Sequence, residues 1–150
     1  MPLLKLLLLL SLLSFFPQVN SQAQANPDNE EALSFVGLTL SELIGRFGVP
    51  REVHAARGLE EWQDDVVFIY DHGNFYIYRD RVWQVGVRSI RGISTGDPQG
   101  LVTLLMGSNA VARGNSIFYP IHEMSWPMML RWDIDSAGMV QAIFVYRSDL

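Results

Sequence analysis

The sequence predicts an α+β fold of two tandem units, each a short helix packed on a three-stranded antiparallel sheet. Three observations predict it. Two brief segments, "GLTLSELIGRFGVP" and "GDPQGLVTLLMG", carry helix start and stop signals. Each is followed by three runs rich in β-branched and aromatic residues, separated by polar turns. The order of helix and strands then recurs over a similar length, as expected of a duplicated unit.

The elements follow in chain order. Residues 1–25 read as a secretory signal peptide: one cation at Lys5, an apolar run from Leu6 to Phe16, and the triplet Ala23-Gln24-Ala25 ahead of the expected cleavage. That run is too short to span the hydrocarbon core of a bilayer, and no second candidate follows, so no transmembrane segment is expected in the mature chain. Residues 26–32 form a polar leader. The first unit, 33–90, opens with a helix. Thr39 stands three residues before Glu42, the capping-box spacing, and Leu38 and Leu43 flank it as a hydrophobic staple. Leu40, Leu43, Ile44 and Phe47 share one face. Gly48 and Pro50 end it. The runs "VVFIYD", "NFYIYR" and "VWQVGVR" are then three strands joined by tight turns at Asp71-His72-Gly73-Asn74 and Arg79-Asp80-Arg81.

The second unit, 91–150, repeats the scheme, and the two units together suit one compact domain. Asp97 is the expected N-cap with Pro98 at the first helical position, Leu101, Leu104 and Leu105 form the apolar face, and Gly107 stops the helix. The strands are "SIFYPI", "MMLRWDI" and "MVQAIFVY", with a turn at Asp135-Ser136-Ala137-Gly138. Neither helix is long enough to persist in water, where a good cap adds only about 1 kcal/mol. Each must dock on a sheet.

Composition narrows the function. The chain has eleven basic and sixteen acidic residues; loss of Lys5 with the leader leaves arginine as the only strong cation. Such acidity disfavours a nucleic-acid partner, whose phosphates need clustered cations. No cysteine is present, so disulfides, thiolate chemistry and a cysteine-linked lipid anchor are excluded.

Catalytic patterns are weak. Gly92-Ile93-Ser94-Thr95-Gly96 matches the G-x-S-x-G nucleophile pattern, with His122 as the candidate base and Asp97 as its orienter. That pattern belongs on a parallel sheet, however, and these strands read as antiparallel. A turn between the units is the simpler reading. His54, His72 and His122 lack metal-site spacing, and the cluster Glu60, Glu61, Asp64 and Asp65 around Trp62 lacks a calcium-loop pattern. Neither metal nor cofactor is expected. The aromatics carry more information: Val67, Ile69, Phe75 and Ile77 on one parity, and Phe68, Tyr70, Tyr76 and Tyr78 on the other, leave no polar face. Either the two units cover each other, or a tyrosine-rich surface awaits a partner.

The stretch "FVGLTLSELIGRFGVP", followed by paired strands and by Asp135, Gly138 and Val140 in a D-x-x-G-x-V turn, resembles the SmpA/OmlA proteins of the outer envelope. The tandem layout is similar to the secreted beta-lactamase-inhibitor-like proteins. The matching positions Gly37, Thr39, Leu43, Gly48 and Pro50 are structural marks. The inhibitor-like resemblance implies a contact at the first hairpin tip, here Asn74-Phe75-Tyr76, with the carboxylate displaced to Asp71. Together these readings predict an exported, periplasmic or secreted, non-catalytic module of the cell envelope. It would bind an envelope or secreted protein partner through Trp62, Tyr70, Asn74, Phe75, Tyr76 and Tyr78. The alternative is a small-ligand carrier or envelope hydrolase with a cleft between the repeats.

Overall fold

The structure, a computed structural model, describes residues 30–57, 65–122 and 124–149. A 3-10 turn, Glu31–Phe35, precedes helix α1, Leu40–Phe47, and strands β1, Glu52–Ala56; β2, Asp65–Tyr70; β3, Gly73–Tyr78; and β4, Arg81–Val87. A small hairpin follows, β5, Ser89–Ile90, and β6, Ile93–Ser94. The second half has helix α2, Gln99–Met106, a 3-10 turn, Gly107–Asn109, and strands β7, Val111–Arg113; β8, Ser116–Ile121; β9, Met128–Ile134; and β10, Val140–Arg147.

The expected pair of three-stranded sheets is not what forms. Among the described residues, eight of the ten strands make one antiparallel sheet, in the order β1-β2-β3-β4-β10-β9-β8-β7, so the fold is dominated by a sheet that runs through both halves. The two halves meet where β4 pairs with β10, Val85 opposite Val145 and Gly86 opposite Phe144. As edges of separate sheets these strands would present unpaired N–H and C=O groups; pairing them satisfies both. Each half also has a fourth strand, β1 or β7, short, largely exposed and placed at the outer edge.

Helix attachment does repeat. In the first half Gly37 N–H donates to Val82 O, Val82 N–H to Leu38 O, and Leu40 N–H to Asp80 O; in the second, Gly96 donates to Val140, Val140 to Asp97, and Gln99 to Gly138. The stop signals repeat too: Gly48 (φ 75°, ψ −154°) and Gly107 (φ 65°, ψ −154°) share a conformation that is nearly closed to residues with a side chain.

Both helices, the first 3-10 turn and the small hairpin send their buried side chains into one cluster on one face of the sheet. Phe35, Leu43, Ile90, Ile93 and Val102 pack there with Phe75, Val85, Leu130, Trp132 and Val145. Three sequence expectations change. Ala32 and Leu33 are buried, so the polar leader gives way to core before residue 33. On α2 the deeply buried residue is Val102, while Leu104 is 77% exposed; the helix turns a different stripe inward than the leucines suggested. Pro98, without a side-chain cap bond, is the N-cap, because the Asp97 carboxylate is engaged by the Ser94 N–H at 2.7 Å.

The capping box on α1 forms as expected: Thr39 N–H donates to Glu42 Oε2 at 2.8 Å, and Glu42 N–H to Thr39 Oγ1 at 3.2 Å. The backbone bond from Thr39, then its hydroxyl, holds the Glu42 carboxyl below its ordinary value of 4.5. A depressed folded pKa means this contribution is present above 4.5 and lost as pH falls through the folded value. Urea unfolding at a series of acid pH values should therefore show a slope that Glu42→Gln flattens. An unchanged slope in that variant would remove the carboxylate from the account.

Candidate functional site

The face of the sheet opposite the helices is the candidate site. Strand alternation and register define it, since residues paired across a ladder share a face. One row runs Val67, Tyr76, Gln84, Tyr146, Met129 and Pro120 across β2, β3, β4, β10, β9 and β8. The next row runs Ile69, Asn74, Gly86, Phe144, Arg131 and Phe118 across the same strands. Among the described residues, no helix buries its side chains against these rows; Val67, only 1% exposed, is buried yet outside the main core cluster.

A bulge in β4 enriches the face. Tyr76 pairs with Gln84 and Ile77 with Val82, so Trp83 is the extra residue. Its indole Nε1 donates to Asp65 Oδ1 at 3.0 Å, and its ring meets Tyr146 edge-on at 6.4 Å. Tyr76 and Phe144 meet edge-on at 6.1 Å. The Arg131 guanidinium lies 4.3 Å from the Phe144 ring centre and 6.0 Å from that of Tyr146, and is paired with Asp133 at 3.1 Å. Ser116 donates to the same carboxylate at 2.7 Å. The half-buried aromatics are thus held by edge contacts and by one centrally placed cation.

Burial is the main cause that pushes the phenols of Tyr76 and Tyr146 above the ordinary 10.0; Arg131 pulls both back down, and Asp65 or Asp133 opposes it. Both therefore stay neutral hydroxyls at physiological pH. They can donate to a partner without bringing charge into the contact.

The residues expected to bind a partner divide between the two faces. Phe75 is 0% exposed and packs on Phe35 and Phe47, so it belongs to the core. Tyr70, 7% exposed, also faces the helix and donates its hydroxyl to Gly48 O at 3.0 Å, tying β2 to the end of α1. These two assignments are corrected: neither side chain is on offer to a partner. Asn74, Tyr76 and Tyr78 lie on the open face, Tyr78 with Arg79 5.1 Å from its ring. Trp62 lies outside the described residues, as do Glu60, Glu61 and Asp64. Sequence reasoning missed Trp83, Arg131, Phe144 and Tyr146. The signal was present in "MVQAIFVYR", where Ala142, Phe144 and Tyr146 share one parity just as Tyr76 and Tyr78 do.

The remaining candidates are placed as follows. Ser94 ends β6, with its backbone N–H on Asp97, and His122 is exposed just beyond β8. His54 lies on β1 near Glu52, and the His72 ring stacks on Phe47 at 5.1 Å. Among the described residues no three His, Asp or Glu side chains gather as a metal site.

No family model matches the chain, and no curated protein matches it. One solved structure, an extracellular protein containing a SCP domain from Bacillus anthracis str. Ames, is similar at a TM-score of 0.53 and 12% identity. The match covers 87% of this chain and 50% of that one, so this chain spans about half its length. At that identity the likeness is one of fold. Among the described residues no helix is long and apolar enough to cross a membrane.

Proposed function

We propose that the protein is an exported, non-catalytic interaction module that binds a protein partner of the cell envelope or its surroundings across the open face of its sheet. One observation carries the reading: among the described residues the helices cover a single face, while the other presents Tyr76, Phe144 and Tyr146 in two ladder rows with Trp83 at the bulge beside them, all half-buried. Aromatic side chains of this kind supply large contact area with few rotatable bonds, the chemistry of interface hot spots. Export rests on the leader pattern of residues 1–25 and agrees with the extracellular setting of the structural neighbour.

The pair Tyr76→Ala and Tyr146→Ala tests it. Because both rings are half-buried, their removal should lower stability by only about 1–2 kcal/mol each. Site-specific cross-linking to the partner in cells should nevertheless disappear. A partner retained by the folded double variant would remove the aromatic rows from the binding reading.

A further inference from the structure

The open face ends in a cleft of about 280 Å³ where β3, β4 and β10 meet, and its lining differs from the rows that lead to it. Tyr76 and Phe144 form walls, with Arg51, Arg88, Asp71 and Thr95 among the polar groups around them. The hollow exists because Gly86 lacks a side chain. A Cβ there would stand 3.5 Å from Phe144 Cε1 and 3.6 Å from Asn74 Cβ, ordinary contact distances. Crowding therefore does not demand glycine at this position. Its effect is to leave a notch between Asn74 and Phe144, its two ladder neighbours.

The charges at this notch run against those of the whole chain, which is formally −5. Among the described residues that line it, two guanidinium groups face one carboxylate. Arg51 Nη1 is 3.4 Å from Asp71 Oδ1, with side chains 68% and 83% exposed, a pairing that solvent screens and that contributes little. Arg88 has no ion pair or side-chain hydrogen bond among the described residues, and its backbone oxygen accepts from Thr95 N–H at 2.8 Å. The cleft thus holds a surplus cation beside an aromatic wall, with a second that can leave Asp71 at small cost.

The geometry points to a carboxylate side chain of an acidic peptide segment as the occupant, seated between Arg51 and Arg88 while apolar neighbours in that segment lie on Tyr76 and Phe144. This rests on the reading of the open face as a partner surface and adds the partner's chemistry. Arginine grips carboxylates through paired, charge-assisted hydrogen bonds. A free oxyanion would use the arginines but leave the aromatic walls idle; an acidic residue flanked by apolar ones uses both. On an otherwise acidic protein, one cationic notch also fixes the register of an acidic partner, because like charges elsewhere oppose misplacement.

The test is a 1H–15N NMR titration of the chain with the peptide acetyl-Phe-Glu-Phe-amide, with its Gln counterpart, and with inorganic phosphate. The Glu peptide should give saturable shifts at the amides of Asn74, Gly86, Arg88 and Thr95, and the Gln peptide should bind at least about tenfold more weakly. Arg51→Gln with Arg88→Gln should remove that preference, and Gly86→Val, which fills the notch, should block the peptide without unfolding the chain. Equal binding of the two peptides, no saturable shift, or a preference that survives loss of both arginines would overturn the proposal. Saturation by phosphate alone would assign the cleft to a free oxyanion and overturn it as well. If the Tyr76 and Tyr146 variants lose the cellular partner while the arginine variant keeps it, the open face stands and the acidic segment falls.

Discussion

Replacing Trp132 with alanine should remove a large share of the fold's stability. Trp132 is among the largest fully buried side chains and sits at 0% exposure in the middle of β9, between Ile117 on β8 and Ile143 on β10. Truncating a buried aromatic to alanine costs about 3–5 kcal/mol, against a total stability of about 5–15 kcal/mol for an ordinary domain. Among the described residues the indole Nε1 has no hydrogen-bond partner, so phenylalanine, which keeps one aromatic ring and leaves a smaller cavity, should cost less than alanine. Urea midpoints of the two variants measure the difference. Equal losses would show that the ring retained by phenylalanine contributes nothing to the packing at this site.

The second large effect is expected at Gly73→Ala. Gly73 opens β3 at φ 153°, and a Cβ there would lie 2.6 Å from the carbonyl oxygen of Gly86 on β4. That obstacle is backbone within the ladder and cannot rotate aside. Strain of this kind costs about 1–3 kcal/mol before the strands are forced apart. Gly86→Ala, whose new atom would meet only ordinary contacts, should be nearly neutral. Melting temperatures of the two single variants give the comparison. Similar losses from both would mean that the two strands do not approach as described.

Much of the local structure was legible in the sequence because it is written in local chemistry. Thr39 with Glu42 starts α1, and Gly48 and Gly107 stop their helices in matching conformations. Six of the eight main-sheet strands follow from runs of β-branched and aromatic residues. The outer strands β1 and β7 escaped because "EVHAA" and "VAR" are almost wholly exposed and carry no buried parity. Backbone pairing with β2 and β8 defines them instead. The larger miss concerned how the halves combine. Whether two strand groups stack or join edge to edge depends on which ladders are left open, and that is settled by the distant pairing of β4 with β10.

The same cause explains the mixed result at the site. Alternation separates Phe75 from Tyr76, but it does not say which parity meets the helix. That choice is fixed by Phe35 and Phe47, remote in sequence, which close on Phe75 at 5.7 and 5.5 Å. Once it is made, Phe75 and Tyr70 fall to the core, while Tyr76 and Tyr78 fall to the open face beside Phe144 and Tyr146. Arg131 was unreadable as a site residue because its contacts join the last strand to its neighbour.

Under the proposed function the two faces of one sheet divide their work, packing on one and recognition on the other. A photo-cross-linking amino acid placed in turn at Tyr146, on the open face, and at Leu104, on the outer side of α2, tests it in intact cells. A discrete adduct is expected from position 146 and none from position 104. An adduct from the helix side alone would contradict it.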